Sequence, residues 1–132
     1  HSAALRATAE DVTLLKAHIA KEHDAVARND RGLALYLSGQ LHVQIAKIAG
    51  QSTIADFVET LIARSSLIVA LYWKRESALC ESHAHHSLVS AIEANDAKLA
   101  EELMVSHLVD LHSALDLRDV PEVATSLKDI LG

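Results

Sequence analysis

Three histidines stand inside three separate apolar helical stripes, a placement that suits metal ligation. His42 follows Leu35 by seven positions and precedes Ile45 and Ala46; His85 leads Leu88, Val89 and Ile92; His107 continues Ala100, Leu103 and Met104 and precedes Leu111. A single imidazole on such a face is ordinarily a core residue hydrogen-bonded to backbone. Three of them change the problem, because each buried polar ring needs a partner and one cation can satisfy imidazoles from neighbouring helices together. Three His ligands with an open position suit zinc, nickel or a similar divalent ion and leave room for water or an anionic ligand. Ser38 lies one turn before His42 on the same face, where a carboxylate would have completed the set. A hydroxyl is a poor metal ligand, so the fourth position is expected to go to solvent or effector.

Arg64 shares a stripe with Phe57, Leu61 and Ile68. A permanent charge there calls for a salt bridge, for a side chain that snorkels to water, or for the carboxylate of a small ligand near the metal. Ser65 and Ser66 beside it could add hydrogen bonds. The remaining histidines read as solvated: His83 and His86 point away from the stripe of His85, His112 lies off that of His107, and His18 and His23 flank the first long helix.

These side chains have to be positioned by helices. Half of the 132 residues are apolar, aromatics are only 3%, and four Gly with one Pro supply little turn chemistry for a sheet, so the predicted fold is a single all-α domain, an antiparallel bundle of about six helices. Thr8 with Asp11 marks a capped start for a helix to about Asn29; Asp30 caps the next, which ends at Gly50. Ser52 or Thr53 opens a third helix to about Trp73. Residues 74–81 break the periodicity and read as a loop before a helix from Ser82 to about Ala94. Asp96 caps a fifth helix to about Leu115, and Pro121 starts a last one, Glu122 to Leu131.

Composition also excludes functions. A formal charge of -6 gives no electrostatic footprint for a phosphate backbone. The lone Cys80 rules out an intrachain disulfide framework and suits a reducing cytoplasm as a surface or pocket thiol. The longest apolar run, Leu67 to Trp73, is far too short to cross a bilayer, and no leader opens the chain, so a soluble cytoplasmic protein is expected. The start at His1 without Met suggests a piece of something longer.

Three segments carry a resemblance: RATAEDVTLLKAHIA, LSGQLHVQIAKIAGQ and HHSLVSAIEANDAKLAEELMVSHL. Together they resemble the C-terminal effector-binding domain (FCD) of GntR-type bacterial transcription regulators, FadR subfamily, over nearly the whole chain. The resemblance implies a helical bundle that holds a divalent metal through one Asp and three His and binds small carboxylates over it. The family's Asp-x-x-x-His pair falls on Ser38 and His42, its H-x-x-(I/L)-(L/V)-x-A-I histidine on His85, and its M-x-x-H-L histidine on His107. Ser38 departs from the pattern by removing the carboxylate ligand. The resemblance further implies a homodimer, an opening helix of which only the end remains in His1 to Arg6, and DNA contact through a winged helix-turn-helix domain absent from this chain.

The expected function is therefore ligand sensing without catalysis: a carboxylate takes the open metal position, meeting Arg64, Ser38 and Ser65, and biases two arrangements of a dimer. The alternative is a metal-dependent helical hydrolase or isomerase, which requires a general acid or base beside the metal; no Asp or Glu shares the stripes of the three histidines. A purely structural bundle with incidental histidines is a third possibility.

Overall fold

A computed structural model describes residues 1–72 and 75–114 of the chain, with side chains for residues 1–64 and 83–111. Its six helices are α1 (Ser2–Arg6), α2 (Ala9–Ala27), α3 (Arg31–Ile48), α4 (Ser52–Tyr72), α5 (Arg75–Glu93) and α6 (Ala97–Ala114), and no strand is present among the described residues. The all-α expectation is met. The final helix expected after Pro121 lies outside the described residues, as do the side chains of Cys80, His112 and the Leu67–Trp73 run.

Local chemistry sets the boundaries. Thr8 and Asp11 form a reciprocal capping box at the start of α2: the Asp11 amide donates to the Thr8 hydroxyl at 3.1 Å and the Thr8 amide donates to the Asp11 carboxylate at 2.9 Å. The carboxylates of Asp30 and Asp96 accept from the Leu33 and Leu99 amides, capping α3 and α6. The links 28–30, 49–51 and 94–96 share one solution. Each contains a residue in the left-handed region, Asn29 (φ 59°), Gly50 (φ 73°) and Asn95 (φ 54°). In each, paired bonds return to the ending helix, such as Asp96 to the Ala91 carbonyl and Asn95 to the Ile92 carbonyl, both at 3.0 Å. Links this short between packed helices make neighbours antiparallel.

One expectation fails at α5. The loop predicted over 74–81 is helix from Arg75 onward. Arg75, Glu76, Ala78, Leu79 and Glu81 are strong helix formers with no Gly or Pro among them, so a stripe can lapse without the helix ending. Ser82 then falls inside the helix instead of capping it.

Helix α2 packs against α3 and α5, α3 against α4, and α5 against α6, while the short α1 touches α3, α5 and α6. The main core joins Ala3, Ala4, Leu15, Ile19, Leu41, Ile45, Leu88 and Ile92; a smaller cluster of Ala25, Ala34 and Leu37 lies further along α2 and α3. Among the described residues α4 leans on α3 alone and turns Ala55, Val58 and Ile62 inward, leaving Phe57 63% and Leu61 48% exposed. The predicted buried stripe of α4 is thus its outer face, and Arg64 on it is exposed.

Gly39 permits the close approach of α3 and α4, since a Cβ there would sit 2.5 Å from Ile62 Cγ2. Gly32, in the first turn of α3, faces open space beyond an Asp30 oxygen at 4.0 Å. Gly32→Ala should therefore stabilise by about 0.5–1 kcal/mol through helix propensity. Gly39→Ala should lose about 1 kcal/mol net, because overpacking costs about 1–3 kcal/mol. Urea midpoints of the two variants, which should move in opposite directions, check this.

Candidate metal centre

The three stripe histidines arrive from three helices and meet. His42 is carried by α3, His85 by α5 and His107 by α6. The Nε2 atoms of His85 and His107 lie 3.0 Å apart and those of His107 and His42 3.3 Å apart, and the ligand atoms of the trio all fall within 4.8 Å of one another. Two imidazole nitrogens bound at ~2.05 Å to one cation stand ~2.9 Å apart at an octahedral angle and ~3.3 Å apart at a tetrahedral one. Both close pairs fit that range. His85 is fully enclosed and His107 nearly so, while His42 is partly exposed.

Hydrogen bonding alone leaves this arrangement short of protons. A neutral imidazole carries one N–H, so at a shared point one Nε2–H could serve at most part of a cluster of three nitrogens. The His85 Nδ1 edge is turned the other way, toward Glu22 of α2, whose two carboxylate oxygens lie 2.9 and 3.0 Å from it. Glu22 is itself buried at 3% exposure. One turn earlier on α2, His18 is buried too, with Nε2 donating to the Leu37 carbonyl at 2.6 Å. Among the described residues the buried polar side chains are His18, Glu22, Ser38, His85 and His107, and on the helices that carry them they lie around one level of the bundle.

Several sequence assignments can now be placed. His42, His85 and His107 converge as the stripes implied, and Ser38 is buried one turn from His42. Arg64 is exposed on α4, so its charge is solvated and calls for no buried partner. The side chain of Ser65 lies outside those described. His23, His83 and His86 are exposed as read. His18 is not the surface residue expected, and Glu22 was not singled out at all. The only sequence signal for that pair was their spacing of four on α2, beside the Leu15–Ile19 stripe.

Comparison with family models finds a match to the FCD domain over residues 1–110. Comparison with curated proteins and with solved structures finds no match.

Burial sets the protonation of the centre. Desolvation, with repulsion from the neighbouring rings, brings His42 down to about 3. Desolvation likewise brings His85 and His107 to about 4, so all three are neutral and present lone pairs at neutral pH. Desolvation raises Glu22 to about 7, against the opposing pull of His18, His23 and His107. In metal-free protein the histidines bind protons more readily unfolded than folded, so their stabilising effect is full above about pH 6.5 and is lost as pH falls toward about 4. Glu22 acts in the opposite sense, its raised value favouring the fold as pH falls from about 7 toward 4.5. With three groups against one, the denaturation midpoint in chelator should fall between pH 6.5 and 4, and His107→Leu should flatten that slope. A pH-independent midpoint would contradict this.

Proposed function

The chain belongs to the FCD domain family, the C-terminal effector-binding domain of GntR/FadR-type regulators, and from that premise we propose that it senses a small carboxylate over one divalent cation held by His42, His85 and His107. The observation that carries the reading is the meeting of three neutral imidazole nitrogens, at 3.0 and 3.3 Å, inside a mainly apolar bundle. Zinc and nickel both suit such a donor set. Bound there, the cation would offer Lewis acidity and positive charge to an anionic ligand.

The chain's own residues would do the rest. Buried Ser38, one turn from His42, leaves the α3 side of the centre without a carboxylate, so an effector oxygen meets a hydroxyl there instead of a like charge. Buried Leu41, beside His42 in sequence, and Leu88 and Val89, one turn from His85, would keep water away and strengthen that attraction. Arg64 and Ser65 remain proposed effector contacts; for Arg64 this requires its exposed side chain to swing over the ligand. We further propose that the domain works as a homodimer, and that DNA contact belongs to a reading domain outside residues 1–132. Ligand binding would bias the dimer only through different affinities for its two arrangements.

The buried Glu22 reopens the catalytic alternative, since a hydrolase or isomerase requires an acid or base near its metal. Its position speaks for sensing. Glu22 is bonded to Nδ1 of His85, on the far side of that ring from the shared Nε2 point, so the ring separates it from any water on the cation.

Protein purified without chelator and without a nickel column should carry about one divalent ion per chain by elemental analysis, and His107→Ala should lose it. Thermal shift against di- and tricarboxylates, hydroxy acids and sugar acids should then find a ligand. At one hundred times its dissociation constant that ligand adds roughly 2.7 kcal/mol, a rise of several degrees. Unchanged metal content in His107→Ala, or no response to any acid, would overturn the reading.

A further inference from the structure

Helix α2 carries none of the three proposed ligands, yet it places a buried carboxylate against one of them. Glu22 sits with both oxygens at hydrogen-bond distance from a single atom, His85 Nδ1, at 2.9 and 3.0 Å, and both side chains are almost wholly removed from solvent. A buried carboxylate is costly unless it accepts hydrogen bonds. The ring nitrogen here can supply one, and the direction of that bond has a consequence. When Nδ1 holds the ring's only proton and donates it to Glu22, Nε2 is left bare. That bare nitrogen is the one that stands 3.0 Å from His107 Nε2, at the point where the trio converges.

We propose that Glu22 is a positioning residue for the metal centre: its carboxylate holds His85 in the Nδ1–H form, aims the Nε2 lone pair at the shared point and, when ionised, supplies from the outer side of the ring the negative charge that the three neutral ligands lack. This rests on the metal-binding reading above. The carboxylate makes the imidazole a stronger donor and removes one rotational freedom that binding would otherwise have to freeze. His18, four residues earlier on α2, is anchored to the Leu37 carbonyl at 2.6 Å and so ties the turn of α2 that bears Glu22 to the turn of α3 next to Ser38 and His42. The inner face of α2 thus serves as the outer wall of a site whose ligands all come from other helices.

The test compares wild type with Glu22→Gln, which keeps the shape of the side chain and removes its charge, and with Glu102→Gln on the exposed face of α6 as a control. Zinc affinity, read by competition with a chromophoric chelator, should fall about 10- to 100-fold in Glu22→Gln and stay unchanged in Glu102→Gln. The d–d spectrum of the cobalt-loaded protein should shift in the first variant alone. A folded Glu22→Gln with wild-type zinc affinity overturns the role of Glu22 while leaving the metal site standing; a wild type that takes up no metal overturns the reading beneath it. Should Glu22→Gln fail to fold, long-range ¹⁵N–¹H spectra of metal-free wild type at alkaline pH still decide the matter. His85 should be the Nδ1–H tautomer there, and an Nε2–H tautomer overturns the proposal.

Discussion

A polar group taken out of water must find a partner, and in this bundle that constraint concentrates at one level. Above and below it the interior is Leu, Ile, Val and Ala. Within it His18 is satisfied by a backbone carbonyl and His85 by Glu22 on one edge, which leaves the Nε2 atoms of three rings facing one another. Desolvation keeps those rings neutral. Three lone pairs converging in a medium of low dielectric are a poor arrangement for hydrogen bonding and a good one for a cation, which makes the centre the feature that the surrounding elements serve.

Packing explains how the three histidines come together. Among the described helices the backbone of α3 stays away from those of α5 and α6, and they meet through side chains, with α2 and α1 holding them around a common interior. That spacing is what imidazoles can bridge, since they reach several ångströms from their own backbones. The repeated left-handed turns at Asn29, Gly50 and Asn95 keep each hairpin short, so the level at which His42, His85 and His107 project is fixed by where the caps Asp30 and Asp96 begin α3 and α6. Gly39 then lets α4 close on the back of α3 through Ile62.

Much of this was legible in the sequence, and what was not has physical reasons. The caps at Thr8, Asp30 and Asp96 carry their mechanism in their residue types, and the stripes of α5 and α6 hold one clear buried face each, so His85 and His107 could be placed from spacing. Helix α4 is apolar on two faces, Ile54, Phe57 and Leu61 on one and Ala55, Val58 and Ile62 on the other, and periodicity cannot say which meets α3. Arg64 shares the outer face with Phe57 and Leu61. Glu22 escaped because a carboxylate beside Lys21 and His23 reads as solvated; only its partner, 63 residues away, shows otherwise. His18 escaped likewise, since its partner is a carbonyl and carbonyls leave no mark in a sequence.

Under the proposed function, the distribution of charge around the centre bears on which ligands would bind. Three neutral imidazoles would leave a bound dication its full charge in the inner shell; the buried carboxylate of Glu22 lies behind His85, where it steadies the ring more than it shields the open face, and Asp110 acts on His107 from α6. Ser38 adds no negative charge on the α3 side. An anion arriving at that face therefore gains more Coulomb energy than it would beside a ligating carboxylate, and polyanionic or chelating acids gain most. Side chains, not close backbone contact, join α3 to α5 and α6, both at this centre and in the common core, so a ligand bound at the centre would act on their separation if the proposed reading holds. Under the proposed reading, that is the coordinate along which occupancy would distinguish two states of the domain, and the difference in affinity along it sets how far any effector can shift them.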